Sequence, residues 1–233
     1  MQLFHLEGDD PYDKLLPKIT SVISKIVIIY LILTIVLFGL YYVNGMSLFD
    51  AVAHSFTTIS TGGFSTHDLS FAYFENHSIL FIAIIFMILG SFPFLVLAKT
   101  NIKNTFAAFE DHQVNIFLLL LLISACLIYF FAQKYIVGSE FQKIIIISFN
   151  TISIISGTGF ISENFEGWGN YASTLFLILM FIGGCAGSTT GGIKIFRFQI
   201  LLKYISIHLK KMLQPHAVIA SHFNGKKIKD ASK

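Results

Sequence analysis

Charge is scarce in this chain: Asp, Glu, Lys and Arg together make up 12% of its 233 residues, and the formal net charge at pH 7 is only +3. The basic residues gather toward the C-terminal end, so they read as topology signals and not as a surface for nucleic acid. Cysteine is scarcer still. Cys126 and Cys185 are the only two, both inside apolar runs with no metal-ligand spacing around them, which excludes a disulfide framework and a zinc site. Lys and Arg are missing altogether from Asn44 to Ala98. The start, MQLFHLEGDDPYDKLLPK, lacks the basic-then-apolar order of a secretory signal, so the first span is expected to act as its own insertion signal.

What fills the space is apolar. Hydrophobic residues make up 55% of the chain, 25 of them Phe, and the mean hydropathy is +0.73. That composition exceeds what one soluble core needs and identifies a membrane protein. Ile19 to Val43, Ser78 to Ala98 and Val114 to Val137 are each long enough, at about 1.5 Å per residue, to cross a hydrocarbon layer of roughly 30 Å. A fourth span begins near Ala172, is interrupted by glycines from about Ile182, and resumes from Ile193 to about Leu213.

Two further segments, Ser47 to Asp68 and Ser139 to Asn164, are apolar enough to enter a membrane yet run into Gly, Ser and Thr after a few turns, the profile of re-entrant segments. They share a plan. Each opens on a capping-box spacing (Ser47 with Asp50, Ser139 with Gln142), carries Ser-Phe midway and closes on Gly-Phe. The offsets between matching features are 92 at the cap, 93 at Ser-Phe and 96 at Gly-Phe, so the second segment is expected to hold about one extra helical turn. The expected fold is all-α and integral to the membrane, with two parallel repeats of span, short re-entrant helix, Gly-containing loop and span, the last span broken by a Gly-rich intramembrane loop. The expected divisions are an N-terminal segment 1–18, a first repeat 19–98, a hinge 99–113, a second repeat 114–213 and a basic tail 214–233.

Lys99 and Lys103 in the hinge and Lys203, Lys210, Lys211, Lys226, Lys227 and Lys229 toward the C-terminus place both termini and the hinge in the cytoplasm. The re-entrant loops then dip in from outside. Lys134 and Lys143 fall on that outer side, but Asp50, Asp68, Glu75, Glu140, Glu163 and Glu166 keep it net acidic. A short helix ending at mid-membrane has a partially negative C-terminus and carbonyls with no helical partner, tolerated where they line a water-filled cavity. Carbonyls brought close to an axis by small residues replace an ion's hydration shell and favour a cation. Ser60, Thr61, Gly62 and Gly63, with Ser156, Gly157, Thr158 and Gly159, are the expected ion-binding backbone. Gly63 and Gly159 are the positions where a Cβ would strain a left-handed turn or crowd the axis.

Three stretches, SFTTISTGGFSTHD, SFNTISIISGTGF and above all FIGGCAGSTTGGIKIFR, closely resemble the Trk-type potassium-uptake proteins of the Trk/Ktr/HKT superfamily. The resemblance covers nearly the whole chain and matches the second and third of that family's four units. It implies a K⁺ filter built from one loop per unit. It also implies a gating plug at Gly183, Gly184, Gly187, Ser188, Thr189, Thr190, Gly191 and Gly192, with glycines keeping the backbone deformable and hydroxyls keeping it wet. Units one and four are absent, so the resemblance also implies a fragment or split subunit that works with missing repeat units from another chain or copy. It implies a homodimer, a cytosolic nucleotide-binding regulatory subunit and a bacterial inner-membrane location. No cofactor is expected beyond K⁺ as the transported ion; the expected surroundings are lipid, with no nucleic acid.

Other readings stay open at this stage. The Gly-rich break is also compatible with close helix packing. A phosphate loop fails because Gly192-Ile193-Lys194 lacks the Gly-Lys-Ser/Thr order. Lys194 either faces the inner cavity or snorkels to the interface, and Arg197 snorkels. His54 is either packed and hydrogen-bonded or proton-sensing, while His67 and His77 are external. Asp68 and Glu163 either form a cation-attracting outer vestibule or are solvated loop charges. No enzyme motif is present, so an enzyme is not expected. A secondary transporter of another solute and a non-conducting membrane remnant remain as alternatives to K⁺ uptake.

Overall fold

The computed structural model describes residues 11–74, 76–98, 107–213, 222–223 and 226–227. Residues 1–10, Glu75, Lys99, Lys103, Lys229 and most of the expected tail lie outside the described residues. The described chain is helical apart from one short hairpin, and it divides into two units, 1–195 and 196–233.

In the first unit, α1 (Pro11–Val43) leads into the short α2 (Leu48–Ile59), and an irregular stretch returns to α3 (His77–Gly90) and the single turn α4 (Phe94–Leu97). Then α5 (His112–Ala132), the short α6 (Glu140–Ile155) and α7 (Asn170–Leu179) follow in the same order of long, short and apolar helix. Among the described residues, two stretches are long and apolar enough to cross a membrane, Thr20–Val43 and His112–Tyr135. Only 17% and 28% of their most apolar windows are buried, so most of these side chains face outward, unlike the core helix of a soluble protein. The second unit contains α8 (Ile195–Leu213), whose first residue still belongs to the first unit, and a hairpin of β1 (His222–Phe223) with β2 (Lys226–Lys227).

One expected span is corrected. Ser78 to Ala98 is not a continuous crossing: α3 ends at Gly90, Ser91 caps it, and Pro93 starts the separate turn α4. The physical reason is Pro93, which has no N–H to donate and restricts Phe92 before it to extended backbone. The 14-residue α3 covers about 21 Å, short of a hydrocarbon core of roughly 30 Å.

The short helices differ in length as well. α2 has 12 residues and α6 has 16, a difference of about one turn. At the start of α6 the capping box is complete, with Ser139 and Gln142 each serving the other's backbone N–H. At α2 it is half made: Ser47 accepts from the Asp50 N–H at 3.1 Å, but the Asp50 carboxylate takes the Ser47 hydroxyl at 2.7 Å instead of the backbone. Asp is one methylene shorter than Glu or Gln, and its other oxygen is held by Thr66 and lies 3.2 Å from His67 Nε2. α1 packs on α2, α5 on α6, and α3 lies against α6, which joins the two halves. Phe71, Phe149 and Phe160 are fully buried in that seam, with the Phe71 and Phe160 rings 4.5 Å apart.

Candidate functional site

The loops after α2 and α6 have one backbone design. Ser60 and Ser156 end their helices in right-handed geometry, and the residues that follow alternate: Thr61 (φ 51°) and Gly157 (φ 70°) are left-handed, Gly62 and Thr158 are not, and Gly63 (φ 70°) and Gly159 (φ 85°) are left-handed again. The first left-handed residue closes each helix. Thr61 N–H donates to Thr58 at 3.1 Å and Gly62 N–H to Thr57 at 2.8 Å, while Gly157 donates to Ile154 at 3.0 Å. Glycine takes this geometry freely; Thr61 takes it at a cost of about 1–2 kcal/mol, held by its hydroxyl bond to the Ser60 carbonyl at 2.7 Å.

The two loops meet. A Cβ built on Gly63 would lie 1.6 Å from the Thr158 carbonyl oxygen, so the Gly63 backbone is pressed against the other loop, and no side chain fits between them. Around Gly159 there is nothing within 4 Å, so the demand for glycine there is conformational alone. Gly62, Gly157 and Gly159 are exposed, whereas Thr61, Ser156 and Thr158 are buried.

Behind each loop a buried helix side chain ties down the chain that leaves it. In the first half, His54 Nε2 pairs with Ser65 Oγ at 2.9 Å and its Nδ1 with the Asp50 carbonyl at 2.8 Å, the ring standing edge-on to Phe71 and Phe74. In the second half, Asn150 donates to Ser162 Oγ at 3.0 Å and accepts the Ser162 N–H at 3.2 Å. His54 is therefore a packed, hydrogen-bonded residue. Sequence reasoning singled out His54 but missed Asn150, although extending the loop offset of 96 back into the helices aligns the two. His67 is not merely external; it stacks on Tyr73 with ring centres 3.6 Å apart. Asp68 is exposed and Glu163 partly buried, which pushes the Glu163 carboxyl above its usual value.

The Gly-rich loop lies against both of these loops and in the break of α3. It is closed at its base by Gly183 N–H to Ile193 O and Ile193 N–H to Phe181 O, both 2.9 Å. A Cβ on Gly183 would fall 2.0 Å from the Gly191 carbonyl, so that glycine serves close backbone approach. The interruption after Gly90 is filled by the loop: Thr189 N–H donates to Gly90 O at 3.2 Å, Cys185 N–H to Ser91 O at 3.0 Å, and Phe94 N–H to Gly187 O at 3.0 Å. Gln113 at the start of α5 accepts the Ala186 N–H at 3.1 Å.

Thr189 is the direct link to the first loop. Its hydroxyl lies 2.9 Å from the Ile59 carbonyl and 3.1 Å from that of Gly90, and accepts from the Thr61 hydroxyl at 3.3 Å. Ser188 donates to Cys185 O at 2.6 Å and lies 2.7 Å from Thr190 Oγ1. The Lys194 ammonium turns back onto the same loop, bonding the Thr190 carbonyl, Thr190 Oγ1 at 2.9 Å and Ser188 Oγ at 3.3 Å. Gly191 approaches Gly157, where a Cβ would stand 3.6 Å from the Gly191 nitrogen. Among the described residues no cluster of three His, Cys, Asp or Glu side chains is placed to hold a metal.

Comparison with known proteins bears on this arrangement. A family model described as TrkH, cation transport protein, matches residues 5–232. The chain is 35% identical over 233 residues to the Trk system potassium uptake protein TrkI of Halomonas elongata, covering 99% of this chain and 47% of that protein. It is 33% identical over 227 residues to TrkH of Escherichia coli, covering 94% of this chain and 46% of that protein. Its structure is similar to the crystal structure of the potassium transporter TrkH from Vibrio parahaemolyticus, with a TM-score of 0.81 at 29% identity over 97% of this chain and 48% of that one. The chain thus spans about half the length of the curated relatives it matches.

Proposed function

Because the chain belongs to the TrkH family of cation transport proteins, we propose that it takes part in potassium uptake across the bacterial inner membrane. In this reading the chain holds two repeats, 19–98 and 114–213, each with a re-entrant pore helix, α2 or α6. Ser60–Gly63 and Ser156–Gly159 are then two loops of a selectivity filter. The observation that carries it is the meeting of those loops: the same alternation of left-handed residues at an offset of 96, with Gly63 pressed on the Thr158 carbonyl. Alternating backbone handedness turns successive carbonyls toward one side, which is how a loop with few side chains replaces the water of a cation. Two loops do not enclose an ion, so conduction needs further repeat units, from the same polypeptide or another chain.

The Gly-rich loop is the gate in this proposal. Its Thr189 hydroxyl holds the end of α2, and Gly191 adjoins Gly157, so a closed loop touches both filter loops at once. Asp68 and Glu163 belong to an outer vestibule that concentrates cations. Homodimerisation and a cytosolic nucleotide-binding regulatory subunit complete the proposal.

The test is rubidium uptake in cells lacking their own potassium-uptake systems, expressing this chain alone and then with first and last repeat units supplied as separate polypeptides. Uptake with the added units, competed by K⁺ and not by uncharged solutes, is the expected result. No uptake in either arm, with membrane insertion established, would overturn it in favour of a non-conducting remnant.

A further inference from the structure

The crevice between α5 and α7 has two adjoining cavities of opposite character. One, of about 360 Å³, is lined by Phe131 of α5, by Lys134 and Tyr135 in the turn after it, by Trp168 in the turn before α7, and by Asn170 and Tyr171 at the start of α7. The other, of about 310 Å³, is walled by aliphatic side chains, among them Ile116, Ile123 and Leu127 of α5 and Leu175 and Leu179 of α7. They lie end to end. Leu127 and Phe131 are one turn apart on α5, as are Leu175 and Tyr171 on α7, and the Phe131 and Tyr171 rings stack with centres 5.2 Å apart at the near edge of the polar cavity.

The cation within reach of solvent at the polar end is Lys134, while the Trp168 Nε1 lies buried behind the cavity wall. Trp168 is 2% exposed, and its Nε1 has no hydrogen-bond partner among the described residues, a rare condition for a buried donor. Of the two lysines on this side, Lys143 is paired with Glu140 at 2.9 Å; the Lys134 ammonium sits 4.9 Å from the Tyr135 ring centre, with no carboxylate partner among the described residues. From Leu127 down to Ile116 the apolar cavity runs about 17 Å along α5, close to the roughly 15 Å depth of one leaflet's hydrocarbon. Trp and Tyr at its mouth match the level at which aromatic side chains meet lipid headgroups.

We propose that this crevice is a binding site for one anionic phospholipid of the outer leaflet, with its phosphate at Lys134 and an acyl chain lying between α5 and α7. The inference rests on the membrane embedding proposed above, but not on ion conduction. Trp168 is the only tryptophan in the chain, so its fluorescence reports the site directly.

The test uses the purified chain in nanodiscs of phosphatidylcholine, into which phosphatidylglycerol with brominated acyl chains is titrated. Saturable quenching of Trp168 is expected. Lys134→Gln should raise the half-saturating mole fraction about fivefold, the effect of one lysine near an anionic headgroup. Leu175→Phe, which fills the apolar cavity but leaves the polar end intact, should cut the quenching amplitude. Equal quenching by brominated phosphatidylcholine, or no response to Lys134→Gln, would overturn headgroup recognition. Displacement by soluble glycerol phosphate would show an anion site without a lipid, and absence of quenching would show that protein, such as another repeat unit or a second copy, covers the crevice; either overturns the proposal. Rubidium uptake is not read, so a failure here leaves the transport reading untouched.

Discussion

Replacing Thr189 by Val keeps the shape of the side chain and removes only its hydroxyl. That hydroxyl has one proton, shared between the carbonyls of Ile59 and Gly90 at 2.9 and 3.1 Å, and it accepts the Thr61 hydroxyl at 3.3 Å. Ile59 ends α2, so its carbonyl has no intrahelical donor, and losing Thr189 leaves it unpaired. One donated bond of about 1 kcal/mol, with part of the cost of an unsatisfied acceptor, puts the loss near 2 kcal/mol. At about 1.4 kcal/mol per factor of ten, this shifts the balance between docked and undocked loop roughly 30-fold toward undocked. Cys185 reads that balance. It is fully buried within the loop, whereas Cys126 on α5 is exposed and serves as the internal reference. Labelling by a membrane-permeant thiol reagent, quantified for both cysteines by mass spectrometry, should be about 30-fold faster at Cys185 in Thr189→Val and unchanged at Cys126. If Cys185 labels at the parent rate, Thr189 does not hold the loop, and the proposed link between gate and filter fails whatever the transport data show.

Gly63 and Gly159 should separate steric from conformational demand. Gly63→Ala drives a Cβ into the Thr158 carbonyl and should lower the thermal midpoint markedly, whereas Gly159→Ala has open space and costs only about 1–2 kcal/mol of left-handed backbone strain. Equal midpoints for the two variants would show that the loops do not touch as described. In any conducting assembly Gly159→Ala should still weaken K⁺ preference over Na⁺; an unchanged preference removes Gly159 from the filter. Lys194→Met should speed Cys185 labelling, because the ammonium that joins Thr190 and Ser188 is lost. A slower rate in that variant would mean that Lys194 strains the loop.

The local grammar of this chain was legible in its residues. Hydropathy marked α1 and α5, since a span must be apolar along its whole length whatever it packs against. The drift in offset from 92 at the cap to 96 at Gly-Phe foretold the extra turn that α6 has over α2, because helix length is counted along the chain. Gly63 and Gly159 stood out because left-handed backbone selects for glycine locally. Thr61 did not stand out, since nothing in a threonine signals φ > 0; the bonds around it hold that geometry.

Contacts between distant segments were decided only by tertiary structure. Pro93 signals a weak point in a helix, but that the break after Gly90 is filled by a loop about 95 residues further on depends on where α3 and α7 come to lie. Likewise the glycines of 183–192 read in sequence as freedom to move, whereas Gly183 is needed because the Gly191 carbonyl lies where its Cβ would be, and Ser188, Thr189 and Thr190 turn their hydroxyls onto protein atoms. Sequence thus determined which helices are long and apolar and where glycine must take the left-handed turn, because those follow from composition and local sterics. Which carbonyls meet which hydroxyls was decided by packing, because a hydrogen bond across 128 residues, such as Thr61 to Thr189, leaves no periodic trace in the chain.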